Sequence, residues 1–142
     1  MSFQNRLFEG AAKKVPVDPL RARSLIRASD QCIKTAKLIP LTELTSKTIL
    51  RESYESLRQY VEAIGYLKGY SFEDHAVMIE FIEEVLKNPR VASRFDSYRK
   101  IRNGINYYGD DVSLGTVKET LREIPRLIED LCVHTSEQKR NE

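Results

Sequence analysis

Between Arg99 and Gly109 the chain reads RKIRNGINYYG. On a helix, Arg99 is followed one turn later by Asn103, and Arg102 by Asn106, so each pair can present donors to one anion. Arginine offers a planar fork that matches phosphate. Asparagine adds amide donors and acceptors without charge. Tyr107 adds a hydroxyl and a ring on which a base could stack. Arg99, Arg102, Asn103, Asn106 and Tyr107 are therefore the candidate contacts for a phosphate, a nucleotide or RNA. The competing reading is a plain helix with a wet polar side. In that reading Tyr98, Ile101, Ile105 and Tyr108 form its inner stripe, and Gly109 stops it.

Other chemistries find little support. The six glycines are scattered, so no Gly-rich phosphate loop is present. There is no HExxH motif, and His75 and His134 lie far apart in the chain. Glu80, Glu83 and Glu84 have the spacing of a carboxylate cluster, but no ExxH accompanies them, so they read as an acidic solvent face. Neither a metal nor a cofactor is expected. His75 is expected to pack or hydrogen-bond locally just inside a helix, and nothing in the spacing brings it to Arg102.

The elements that must position these residues are helical almost throughout. A short first helix fits residues 3–15, weakened by Gly10. Asp18 and Pro19 open a second helix that runs to Leu38, with Leu25, Ala28, Cys32, Ala36 and Ile39 as its apolar stripe. Thr42 starts a long third helix, whose Leu50, Tyr54, Leu57, Val61 and Ile64 suit bundle packing. Gly69 stops it. A fourth helix is expected from Phe72 to Leu86, capped by Ser71, burying Phe72, Ala76, Ile79, Ile82 and Leu86. After a KNPR turn the fifth helix spans Ala92 to Tyr108. The last starts at Ser113, buries Val117, Leu121, Ile124, Ile128 and Leu131, and should kink at Pro125. Its polar tail, from His134 on, should fray. The expected fold is all-α: an antiparallel bundle of four long helices plus a short N-terminal one, in a single domain spanning 1–142 with its core near 20–135.

Charge is unevenly spread. Residues 1–40 hold eight Lys or Arg against three Asp or Glu, while the whole chain carries only +2. A basic N-terminal part can attract phosphate, or can be a solvated helix face, as Arg23, Arg27, Lys34 and Lys37 suggest by lying largely outside the apolar stripe. Cys32 and Cys132 lack CxxC spacing and are expected as free, buried thiols. No stretch approaches the ~20 apolar residues of a membrane span, and the first ten residues lack the pattern of a secretory leader, so a cytoplasmic location is expected.

Two stretches carry a resemblance. The segment YESLRQYVEAIGYLKGYSFEDHAVMIEFI, from Tyr54 to Ile82, and the segment YRKIRNGINYYG together resemble the HEPN superfamily (higher eukaryotes and prokaryotes nucleotide-binding), in particular its small prokaryotic and archaeal members. The resemblance covers roughly residues 20–135. It implies a helical bundle that pairs as a homodimer with its signature helices at the interface. It also implies an RNA or nucleotide ligand. Many members are metal-independent ribonucleases, including toxins paired with a nucleotidyltransferase antitoxin. The signature is Arg, a polar residue, three variable residues, then His. Matched here, Arg102 is the Arg, Asn103 the polar residue, and Tyr107 stands where the His is usual. In the implied chemistry, Arg stabilises charge on a phosphoryl group while His moves the proton of an attacking 2′-hydroxyl. A phenol of ordinary pKa ~10 is a poor base at pH 7; lowering it by roughly three units costs about 4 kcal/mol. Some toxins also carry a Tyr just after that His, which the partner modifies; Gly109, preceded by Tyr107 and Tyr108, holds that place. Three readings therefore stand: a phosphate-binding protein with Arg102, Asn103 and Tyr107 as its centre, a ribonuclease with those residues as catalytic groups and Tyr107 or a histidine from elsewhere moving the proton, or a non-catalytic interaction module.

Overall fold

The computed structural model describes residues 2–135. It is mostly helical: α1 (Phe3–Glu9), α2 (Pro19–Leu38), α3 (Ser46–Lys68), α4 (Val77–Glu80), α5 (Pro89–Tyr108) and α6 (Leu114–Leu131), with a π-helical turn over Phe81–Val85. Two short strands, β1 (Ala12–Lys14) and β2 (Tyr70–Phe72), pair antiparallel, with Ala12 opposite Phe72 and Lys14 opposite Tyr70. Among the described residues no helix is long and apolar enough to cross a membrane.

Helix α3 is the centre of the molecule. Its Leu50, Tyr54, Leu57, Val61 and Ile64 are all buried, as their spacing requires. Helix α2 packs along it on a face rotated from the expected one. Ala22, Ser29, Ile33 and Ala36 are buried, whereas Leu25, Ala28, Cys32 and Ile39 are only half-buried. The reason is a serine pair. Ser29 Oγ donates to the Ser56 carbonyl at 2.7 Å, and Ser56 Oγ donates to the Ser29 carbonyl at 2.7 Å. Small side chains let the helices approach, and the exchange satisfies both hydroxyls. Cys132 is exposed and Cys32 half-buried, so the expected pair of buried thiols is corrected. Burial pushes the Cys32 thiol up to about 11.

Several boundaries move. Residues 42–45 form a hydrogen-bonded turn in which Thr45 Oγ1 donates to the Pro40 carbonyl, and α3 begins only at Ser46. Residues 12–14 are strand, not a continuation of α1. Phe72 lies in β2, and α4 starts five residues later, because Asp74 Oδ1 accepts from the Val77 N–H at 2.9 Å and caps it there. Helix α5 starts at Pro89, three residues early, with the Asn88 side chain accepting from the Val91 N–H. Helix α6 starts at the expected place, with Ser113 as its cap, and runs through Pro125 to Leu131. Tyr108 is 82% exposed, so it is surface and not core: Gly109, at φ +66°, ends the helix just as Tyr108 clears the body. The three glutamates are not one solvent face either. Glu80 accepts from Arg6 at 2.9 Å and Glu84 accepts from the Phe3 N–H at 2.7 Å, tying α1 to the α4 region.

Candidate functional site

Two segments converge beside α3. Helix α5 supplies Arg99, Arg102, Asn103 and Tyr107. The loop before α4 supplies Asp74 and His75. Together they line a cavity of about 380 Å³. Tyr54 of α3 backs it: the Tyr54 hydroxyl lies 2.9 Å from His75 Nδ1, and the Arg102 guanidinium sits 5.1 Å from the Tyr54 ring centroid.

The loop is strapped in place from the N-terminus. Strand β1 pairs with β2, the Glu73 N–H donates to the Ala11 carbonyl at 2.9 Å, and Lys13 pairs with Glu73 at 3.0 Å. Gly65 lets the strand come close, since a Cβ there would lie 2.6 Å from the Phe72 ring. With β2 anchored and Asp74 capping α4, His75 is fixed against α5.

Arg102 Nη2 lies 2.7 Å from His75 Nδ1. Arginine only donates, so Nδ1 accepts, the imidazole is neutral, and its proton sits on Nε2. Electrostatics agree: burial first, then the charges of Arg102 and Arg58, pull the His75 pKa down to about 4. Burial pushes the Tyr54 hydroxyl up to about 12, against the pull of Arg102. Arg58 is itself bound by Glu55 and Glu62. Burial works to raise the Glu55 pKa, but hydrogen bonds from Arg58 outweigh it and hold the carboxyl below its usual range. Arg99 is paired with Asp96 at 2.8 Å. Arg102 forms no ion pair among the described residues, and two of the three buried polar atoms found there without a partner are Arg102 Nε and Asn103 Oδ1, the third being Glu80 Oε2 outside the cavity. The first two belong to residues lining the cavity. A donor and an acceptor left over in one place are the complement of a ligand that carries both.

Of the expected site residues, Arg99, Arg102, Asn103 and Tyr107 come together. Asn106 does not: it is exposed and lies outside the cavity, on the flank of α5 turned to solvent. The i, i+4 pairing of Arg102 with Asn106 is therefore corrected, because Arg102 turns instead toward Tyr54 and His75. Tyr107 lines the mouth with 70% of its surface exposed. His75 was expected to act locally; it reaches across 27 residues of sequence to Arg102. Tyr54 was read only as core. Its hydroxyl was the available signal, since a buried Tyr needs a partner for its O–H. His134 lies near Lys68 and outside this cavity, with its pKa lowered by burial and then by that lysine. Among the described residues no group of three or more His, Cys, Asp or Glu could hold a metal ion.

No family model, no curated protein and no solved structure matches this chain.

Proposed function

We propose that this chain is an HEPN-like helical bundle that binds RNA or a nucleotide through a phosphate group in the Arg102–His75 cavity. One observation carries the reading. Arg102 is held beside a neutral imidazole, with its own Nε and the neighbouring Asn103 Oδ1 buried and unpaired. A phosphate oxygen can take the Arg102 donors, His75 Nε2–H and the Asn103 amide offer further contacts, and Tyr107 presents a ring at the mouth for a base. Exposed Tyr107 and Tyr108 at the end of α5 also suit the pairing of two copies through this helix, and a nucleotidyltransferase-type protein is the partner the resemblance implies. The test is calorimetric titration with AMP and with a short RNA, wild type against Arg102→Met. Binding by wild type and its loss in the variant support the proposal. Absence of binding by wild type, or equal binding by both, refutes it.

The position of His75 favours a second reading, metal-independent RNA cleavage. In the resting arrangement Nδ1 is occupied by Arg102, so it cannot accept a proton. A phosphate that draws Arg102 away, with the Tyr54 hydroxyl turned from donor to acceptor, would free that lone pair, giving a base beside the arginine without a histidine in the signature itself. The 2′-oxygen would then attack phosphorus as its proton passes to Nδ1, closing a 2′,3′-cyclic phosphate, and the 5′-oxygen of the next nucleotide would leave with a proton taken from water. Cleavage in the presence of EDTA that fails in both His75→Gln and Arg102→Met supports it; no cleavage, or cleavage unchanged by either substitution, leaves binding alone.

A further inference from the structure

Helices α2 and α6 both pack on α3 but barely touch each other. The gap between them is an open groove of about 630 Å³, apart from the Arg102 cavity in its lining residues. Its floor is apolar: Ile33 and Tyr60 are buried, and Ile26, Pro125 and Ile128 are half-buried. One rim is basic. Arg23, Arg27, Lys34 and Lys37 are all exposed, and their offsets of four, seven and three place them along one face of α2. From first to last they span about 21 Å at 1.5 Å per residue. Lys34 is paired with Asp30 at 2.7 Å, whereas Arg27 and Lys37 form no ion pair among the described residues. Four of the eight basic residues of the first forty thus lie on one ridge beside an apolar trough, with Asp30 among them.

We infer that this groove docks an amphipathic helix of a partner protein, about four turns long, whose apolar stripe fills the trough and whose acidic flank lies along the α2 ridge. The trough discriminates between occupants. A nucleic-acid backbone would use the ridge but leave the apolar floor wet. The last seven residues of the chain, SEQKRNE, have no apolar side chain and equal numbers of acidic and basic ones. In a second copy Glu80 and Glu84 are engaged by α1, and self-association through another helix is an outcome the test distinguishes. An acidic helix with leucines at i, i+3, i+4 and i+7 matches both surfaces.

Cys132 lies in this groove and is exposed, so its thiol reports occupancy. The probe is a synthetic helix of about 14 residues with that leucine pattern and a glutamate flank. Its binding to the full-length chain is followed by fluorescence anisotropy, and alkylation of Cys132 by mass spectrometry. The expected result is saturable binding, slower alkylation of Cys132 when the peptide is bound, and at least tenfold weaker binding to Arg27→Glu/Lys37→Glu. These side chains are exposed, and circular dichroism of the double variant checks that the fold persists. The inference is overturned if the peptide does not bind, if charge reversal leaves binding unchanged, if a lysine-flanked version binds equally, or if a short RNA protects Cys132 as well as the peptide does. Protection that rises with protein concentration alone overturns it in favour of self-association.

Discussion

Helix α3 presents polar groups on two sides, and they are treated differently. Toward α2, Ser29 and Ser56 each donate to the other's carbonyl at 2.7 Å. Toward α5, Tyr54 meets His75 and Arg102, yet Arg102 Nε and Asn103 Oδ1 are left unpaired. Both sides bury polar atoms in a core that could have been apolar. The first arrangement is closed: it holds two helices together and has no capacity left for anything else. The second is open, and a buried unpaired donor or acceptor costs about 1–3 kcal/mol. A ligand that satisfies such atoms recovers that cost on binding, so the contrast separates structural polarity from functional polarity.

The largest effect expected from breaking this contrast is on the closed side. Ser56→Leu should destabilise the fold by about 3 kcal/mol, from overpacking plus lost hydrogen bonds, while leaving the binding residues themselves intact; urea unfolding followed by circular dichroism measures it. On the open side the balance reverses. Arg102→Met should leave the unfolding midpoint nearly unchanged, because it removes a cation set among Arg58 and Arg99 along with an unpaired Nε, yet weaken AMP binding by about tenfold or more. A thermal melt and a titration on the same sample check both halves. Tyr107→Ala should cost about 1 kcal/mol in AMP binding and nothing in binding of inorganic phosphate, since only the nucleotide has a base to stack; competition between the two ligands reads the difference.

The next effect is a pH dependence with opposite signs for folding and binding. The folded-state pKa of His75 is about 4, below the 6.5 of an unfolded histidine. Between those values the unfolded chain binds more protons. The His75 contribution to stability is therefore full above pH 6.5 and is lost as pH falls toward 4. Phosphate binding should run the other way, since an anion beside His75 favours its protonated form. Melts and phosphate titrations between pH 5 and 7.5, compared with His75→Gln, should show both slopes in wild type and a reduction of both in the variant. The smallest effect belongs to Asn106→Ala, which should alter neither stability nor binding beyond about 0.5 kcal/mol, as expected of an exposed side chain outside the cavity.

How far the sequence could be read depended on the kind of signal. The α3 stripe from Leu50 to Ile64 was legible because apolar residues at helical spacing need burial whatever they pack against. The α2 stripe was misplaced by roughly one position, since Ser29 and Ser56 count as polar in a sequence but act as a close-packing surface once they satisfy each other. Tyr108 looked like core by spacing alone, yet the helix outruns the body that would cover it. Within the site, Arg99, Arg102, Asn103 and Tyr107 were visible as a group because they share one helix. His75 and Tyr54 were not, because no local spacing relates them to Arg102.

By itself the sequence determined the local matters: mostly helical structure, the α3 core, the cap at Asp18, the start of α6 at Ser113, the stops at Gly69 and Gly109, and an arginine–asparagine group on one helix. These follow from propensity, capping and period, which act within a few residues. Tertiary structure alone decided that β1 clamps the loop before α4 and sets His75 against Arg102. It also decided that Asn106 faces away and that α2 and α6 stand apart over α3. Those outcomes depend on which distant surfaces come to share one space, and the partner of a polar side chain exists only after the chain has closed around it.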